Sequence, residues 1–368
     1  MYIPVNEPLL NGNEKKYLAE CIDSGWISCE GPFVSRFENE FAKVAQRRCG
    51  VAVSSGSGAL DVAIAALGVG PGDEVIMPTF TIISCAQAIT RTGAVPVLVD
   101  SDPKTWNMAV GQIEGKITVR TKAIMAVHIY GLPTAMDDIL RLASQHGLTV
   151  IEDAAQAIGQ TYNGKPCGSF GKLSVFSFYP NKHITTGEGG MIVTDDQELA
   201  GRCRALANLC FQPQKRFVHD ELGWNYRMTN LQAAVGCAQL ERLESHVQRK
   251  REIGRLYNTL LADCPLSRPL PFSGKNENIY WVYGLVIPDN MALTAADAMA
   301  KLAAKGIGTR PFFWPMHEQP VFREMGLFHN LSLPVAERLA RRGFYLPSGL
   351  ALTDEQIHRV VDEVKKIV

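Results

Sequence analysis

The sequence predicts an α/β protein: a seven-stranded, mostly parallel sheet with helices on both faces, followed by a smaller C-terminal α+β domain. Three observations lead there. Short, apolar, β-rich runs at 50–54, 74–78, 95–100, 123–128, 149–152, 173–177 and 190–194 alternate with helical patterns such as 58–67, 84–92 and 136–146. Strands that are apolar throughout and separated by helices belong to a parallel sheet covered on both sides. At 368 residues the chain exceeds one typical core, and its texture changes after the Pro/Gly/Asn-rich stretch 265–278. Two lobes are therefore expected, a large one at 1–245 and a smaller one at 246–368.

In such a sheet, ligand groups gather at the carboxyl ends of the strands. Ser55, Thr79, Asp153 and Ser177 all lie at or just past a predicted strand end. Helical patterns from 229 to about 261 lead away from the sheet. Beyond them, 279–287 reads as a strand, 294–305 as a helix and 309–313 as a short extended segment. The last helix starts at Thr353 with Gln356 three positions on, a capping-box arrangement.

Composition narrows the class of function. Lys+Arg and Asp+Glu both total 37, so no net field favours nucleic acid or an anionic membrane. The nine cysteines are scattered without a C-x-x-C pair, the pattern of reduced thiols in a cytosolic protein. The first residues lack the basic-then-apolar order of a signal peptide, and no apolar run approaches membrane-spanning length. A soluble cytoplasmic protein is expected.

The chemistry centres on Lys182, in the run Ser177-Phe178-Tyr179-Pro180-Asn181-Lys182-His183-Ile184-Thr185-Thr186-Gly187-Glu188-Gly189-Gly190. A lone lysine is ordinarily a solvated surface cation. This one lies between a hydroxyl-bearing strand and a glycine-rich turn, a setting for an amine that condenses with an aldehyde. Upstream, Ile151-Glu152-Asp153-Ala154-Ala155-Gln156 presents a carboxylate just after a short apolar strand. A lysine and an aspartate converging from two strand ends are what pyridoxal 5'-phosphate (PLP) needs: an imine partner and a counter-ion for its ring nitrogen. Asp153 could also be a plain turn residue, and Glu152 reads as structural. Gln156 could hydrogen-bond the phenolic-oxygen side of the cofactor.

Ser54-Ser55-Gly56-Ser57-Gly58-Ala59-Leu60 joins a strand to a helix. Small residues there let backbone N–H groups approach a phosphate, and the helix N-terminus adds partial positive charge. Such turns often only cap helices, but with Ser177 and Lys182 this one forms a phosphate cup beside an amine. The segment Gly223-Trp224-Asn225-Tyr226-Arg227-Met228-Thr229-Asn230 offers Asn225 as a phosphate donor and Arg227 as an anion contact, or simply a helix cap with packing aromatics.

With these motifs, nearly the whole chain resembles the DegT-type nucleotide-sugar aminotransferases, fold-type I PLP enzymes that work as homodimers. The match begins at Asp23-Ser24-Gly25-Trp26-Ile27-Ser28. It continues through Pro71-Gly72-Asp73-Glu74-Val75-Ile76, Val127-His128-Ile129-Tyr130-Gly131 and the lysine and Asn-Tyr-Arg segments, and ends at Arg310-Pro311-Phe312-Phe313-Trp314-Pro315-Met316-His317. The resemblance implies that Lys182 is the cofactor-linking lysine, Asp153 the ring-nitrogen partner and Gln156 a cofactor contact. It implies further that Gly56, Ser57 and Ser177 hold the phosphate, with Asn225 reaching it from the partner subunit of a homodimer. Arg310 and His317 would face the nucleotide-sugar, and L-glutamate would be the amino donor.

Two places depart from the family pattern. Ile82 stands where relatives usually carry an aromatic residue that stacks on the ring, so the platform is weaker or supplied by another residue such as Phe80. The segment 208–219 differs from the usual glycine-containing stretch, near where sugar specificity is set. The dehydratase branch of the family carries histidine in place of the lysine, and here Lys182 is present. A non-catalytic sensor would not need lysine, aspartate and phosphate cup together. A dinucleotide-dependent oxidoreductase would need G-x-G-x-x-G spacing, which the turn at Gly56 lacks.

Overall fold

The computed structural model describes residues 2–212 and 214–368; Met1 and Pro213, the latter inside the 208–219 segment, lie outside the described residues. Seven strands, β1 (Cys49–Val53), β2 (Glu74–Pro78), β3 (Val95–Val99), β4 (Thr121–Val127), β5 (Thr149–Asp153), β8 (Leu173–Ser177) and β9 (Gly190–Thr194), form the main sheet in the order β1-β9-β8-β5-β4-β2-β3. The pairs β3/β2, β2/β4, β4/β5 and β5/β8 are parallel, whereas β9 runs antiparallel to both β1 and β8. A two-residue hairpin, β6 (Thr161–Tyr162) with β7 (Lys165–Pro166), interrupts the run between β5 and β8.

Period-two alternation sends successive side chains to opposite faces. Val75 and Met77, with Ala123, Met125 and Val127, pack under helices α3 (Gly56–Ala66), α4 (Ile83–Arg91) and α6 (Gln197–Ala207). Ile76, Ile124 and Ala126 face the other way, toward α5 (Met136–His146). On that same side Phe176, Met191 and Val193 meet α2 (Pro32–Val44) and α7 (Asn230–Leu240), and α1 (Glu14–Ser24) packs on α7. Both faces are thus covered, which is why the strands read as apolar throughout.

Helix starts follow from side-chain caps. Ser55 Oγ accepts from Gly58 N at 3.0 Å, and the Thr229, Thr294 and Thr353 capping boxes open α7, α9 (Ala295–Ala304) and α12 (Asp354–Ile367). Glu152 at the end of β5 is fully buried and accepts from His128 Nε2 (2.9 Å), the N–H groups of Gly168, Phe170 and Gly171, and Ser174 Oγ (3.1 Å). Cys167 lies close to this pair, but Glu152's oxygens point at hydrogen donors, the environment of a structural carboxylate.

The 18-residue helix α8 (Leu243–Leu260) leaves the sheet, and a boundary at 245/246 falls inside it. Beyond it come the short pair β10 (Phe272–Ser273) and β11 (Asn276–Glu277). Then β12 (Tyr283–Val286), β13 (Arg310–Pro311) and β14 (Gly343–Leu346) form an antiparallel sheet in the order β12-β14-β13. Helices α9 and α12 cover it, with Tyr257, Tyr283, Phe344 and Val360 in its core. Ile3 joins this core, its N–H bonded to Gly306 O at 2.8 Å. Two short helices, α10 (Pro320–Glu324) and α11 (Pro334–Arg342), connect β13 to β14.

The strand expected at 279–287 begins only at Tyr283. Tyr280 takes a left-handed φ of 47°, and Trp281 N–H donates to Tyr130 O at 3.0 Å, so residues 279–282 dock on the large lobe instead of extending the small sheet. Among the described residues no helix is long and apolar enough to cross a membrane.

Candidate active site

The carboxyl ends of β1, β5 and β8 converge on a cavity of about 380 Å³ whose walls include Gly56, Ser57, Asp153, Gln156, Ser177 and Lys182. Its floor near β1 is the first turn of α3. A Cβ at Gly56 would lie only 2.6 Å from Ser177 Cβ, so the turn and the end of β8 touch as closely as glycine allows. Ser57 Oγ lies 2.7 Å from Ser84 Oγ in the first turn of α4. The N–H groups of a first helical turn have no intrahelical acceptor, and with three serine hydroxyls nearby they make a cradle for a phosphate.

Lys182 sits in the turn between β8 and β9, its N–H bonded to Tyr179 O at 2.9 Å. Gly187, with φ at 79°, turns the chain back so that β9 can run antiparallel beside β8. The Lys182 Nζ lies 3.7 Å from the Trp281 ring centroid. Burial in the cavity wall pulls its pKa down to about 7, against the pull of the Asp153 carboxylate, which favours the charged form. About half of such amines are unprotonated at pH 7, and that free-base form is nucleophilic.

Asp153 is 2 % exposed. Its Oδ1 accepts from Ala155 N at 3.0 Å and its Oδ2 from Cys85 Sγ at 3.2 Å. A carboxylate offers about four acceptor positions, so two remain for a cation in the cavity. Gln156 Oε1 accepts from Tyr130 N at 2.8 Å, which leaves its NH₂ as the group free to meet a ligand.

Other expected residues lie elsewhere. Asn225 is exposed, pairs with Asn208 in an isolated bridge and does not line this cavity. Arg310 is exposed and lines an adjoining cavity of about 210 Å³ that shares Tyr179, Asn181 and Tyr345 with the first. His317 is 1 % exposed, with Nδ1 2.8 Å from Thr79 Oγ1 and Nε2 3.1 Å from Glu337 Oε1. Both nitrogens are engaged, and the ring ties the end of β2 to α11. Arg227 donates to Asn208 Oδ1 at 2.7 Å.

Ile82 lines the cavity and is half exposed, whereas Phe80 is fully buried among Tyr130, Phe312 and Phe313. The aromatic wall comes instead from Trp281, Phe313, Tyr345 and Tyr179. Sequence reasoning missed Trp281, whose indole N–H donates to Asn181 O at 2.8 Å. It also missed Lys250, 1 % exposed, whose Nζ donates to Trp281 O (2.9 Å) and Ser348 O (2.5 Å). Burial, then the like charge of Lys182, brings Lys250 down to about 7 as well. The dense run Tyr280-Trp281-Val282-Tyr283 was the available signal for the first; the second hides in the charge run Arg249-Lys250-Arg251.

A buried amine near neutrality, a buried carboxylate and a helix N-terminus crowded with serines around one cavity fit a phosphorylated pyridine aldehyde. Comparisons with known proteins agree. Residues 8–365 match the DegT/DnrJ/EryC1/StrS aminotransferase family. The chain is similar to a GDP-perosamine synthase of Escherichia coli O157:H7, 43% identical over 366 residues, covering 99% of this chain and 98% of the relative. In fold it is similar to the aminotransferase TlmJ of Streptoalloteichus hindustanus, with a TM-score of 0.92, 32% identity and coverage of 99% and 98%. It is also similar to a Streptococcus pneumoniae protein solved in a PLP form, with a TM-score of 0.93, 25% identity and 100% coverage of each chain. The chain belongs to the DegT/DnrJ/EryC1/StrS aminotransferase family and is a PLP-dependent aminotransferase.

Proposed function

We infer that this chain, a nucleotide-sugar aminotransferase, moves the amino group of L-glutamate to C4 of a nucleotide-linked 4-keto-6-deoxysugar. The substrate we assign is GDP-4-keto-6-deoxymannose, giving GDP-perosamine for surface polysaccharide biosynthesis. The observation that carries the chemistry is the Lys182 amine, held near neutrality in one cavity with Asp153. The similarity to GDP-perosamine synthase over nearly the full length supports the choice of sugar.

PLP, when bound, supplies an electron sink for the bond broken at the amino donor's Cα. The chain supplies the rest. Gly56 and Ser57 backbone N–H groups and the Ser177 hydroxyl would hold the phosphate, Gln156 the phenolic-oxygen side, and Asp153 would keep the ring nitrogen protonated. Lys182 would hold the cofactor's aldehyde carbon, and its Nζ would carry a proton to and from the donor's Cα. Proton transfer by a positioned group is typically worth ~10²–10⁴-fold. Trp281 and Phe313 wall the cavity and exclude water from that nitrogen. Arg310, in the adjoining cavity, meets the nucleotide-sugar.

The working unit is a homodimer with active sites shared across the interface. In this reading the exposed Asn225, outside its own chain's cavity, completes the partner's phosphate cradle. Residues 1–245 form the cofactor domain and 246–368 the small domain, and the site is cytoplasmic.

The test is mass spectrometry of products formed from glutamate and GDP-, UDP- and dTDP-linked 4-ketosugars. Replacement of the ketone by an amine on the GDP sugar, with 2-oxoglutarate formed, is expected. Amination of only the UDP or dTDP sugars would overturn the choice of nucleotide.

A further inference from the structure

Asp153 is held on two sides by donors from different elements. Ala155 N–H comes from its own strand-end turn, and Cys85 Sγ from the first turn of α4. Cys85 is fully buried and does not line the cavity, so it reaches the site only through Asp153. Behind it, Thr81 Oγ1 lies 3.6 Å from Sγ, and Thr81 is also buried. The neighbouring Ser84 faces the cavity and meets Ser57. One helical turn therefore touches both the phosphate cradle and the carboxylate.

We propose that Cys85 is a positioning residue whose S–H, braced by Thr81, fixes the Asp153 carboxylate so that its free lone pairs face the cavity. This rests on Asp153 being the ring-nitrogen partner. Burial and then the adjacent Asp153 charge push the Cys85 thiol well above its ordinary range, so it stays a donor at any pH the enzyme meets. A carboxylate with one donor on one oxygen can swing about its Cα–Cβ and Cβ–Cγ bonds. A second donor on the other oxygen removes that freedom. A ring-nitrogen contact tolerates little angular error, so loss of the second donor lowers reactivity without emptying the site.

The experiment compares C85A and C85S with the unaltered full-length chain. Crystal structures without cofactor should show the Asp153 carboxylate rotated or in two conformers in C85A, and as in the parent in C85S, whose O–H restores a donor. With PLP bound, the pH midpoint of the cofactor's absorbance change should move in C85A and return in C85S. Single-turnover reaction with glutamate should slow about 3- to 10-fold in C85A, the span expected for one hydrogen bond, and C85S should recover most of it.

A residue that only fills space would change the melting temperature and leave the absorbance midpoint alone. An unmoved carboxylate and unmoved midpoint in C85A would overturn the inference, as would C85S behaving like C85A. D153N separates the two readings. If D153N reacts with glutamate as the parent does, Asp153 is not the ring-nitrogen partner, whatever Cys85 does to its orientation.

Discussion

The ε-amino nitrogen of Lys182 rests 3.7 Å from the Trp281 ring centroid, and the backbone oxygen of Trp281 accepts from Lys250 at 2.9 Å. Two lysines thus bracket one tryptophan, and burial brings both to about 7. Lys250's partners are carbonyls and not carboxylates, so its charged form lacks a counter-ion there. Burial, opposed by the nearby Asp153 charge, keeps the Lys182 amine in its free-base form at lower pH than solvent would allow.

Lys182→Ala should abolish the borohydride-trappable link to the cofactor and reduce turnover by at least ~10²-fold, since nucleophile and proton carrier are lost together. PLP should still bind through the phosphate cradle and Asp153. Absorbance spectra and peptide mapping after reduction check this. Normal turnover by the variant would remove Lys182 from the mechanism.

The free amine is the reactive form, so its fraction rises as pH increases through the pKa. In the cofactor-free chain, the rate of aldehyde capture at Lys182, trapped with cyanoborohydride and read by mass spectrometry, should increase nearly tenfold per unit below about 7 and level off above it. A rise continuing to the ordinary lysine value of 10.5 would contradict the depressed pKa.

The same depression makes stability depend on pH. Between about 7 and 10.5 the unfolded chain binds a proton on Lys250 that the native chain does not, so stability rises with pH across that window. The slope is at most about 1.4 kcal/mol per pH unit for each such lysine. Lys250→Met should lose its share of this slope and retain that of Lys182. Urea melts at pH 7 and 9.5 measure both; identical slopes in the two proteins would refute it.

Glu152→Gln places an amide NH₂ against N–H donors in a fully buried site. A loss of roughly 3 kcal/mol is expected, because donors are left unpaired in the interior. Denaturant unfolding should show a lower midpoint while the folded fraction keeps the parent's bound-cofactor spectrum.

If sites are shared between subunits, mixing Lys182→Ala with Asn225→Ala protomers should restore activity that neither has alone. One of the two sites in each mixed dimer then carries intact copies of both residues. No recovery after verified subunit exchange would place Asn225 outside the partner's site.

Much of the fold was legible because its cause is local. Apolar runs of strand length, separated by helices with side-chain caps at Ser55, Thr229, Thr294 and Thr353, fall within a few residues of the observed elements. Gly56, Ser57, Asp153, Gln156, Ser177 and Lys182 were readable together because each ends or follows β1, β5 or β8, like-directed strands of one mostly parallel sheet whose topology gathers those ends around one cavity.

Trp281 and Lys250 obey no such rule. Trp281 is 99 residues from Lys182 in sequence and meets it only because Tyr280 turns left-handed and the chain docks on Tyr130. Lys250 and His317 have the look of surface or ligand groups, and their burial comes from neighbours far along the chain. Strand positions, helix starts and the loops that carry chemistry follow from short-range pattern and backbone hydrogen bonding. Which side chains wall the cavity, and at what pH an amine inside it gives up its proton, depend on desolvation by packed partners, and no local pattern encodes that.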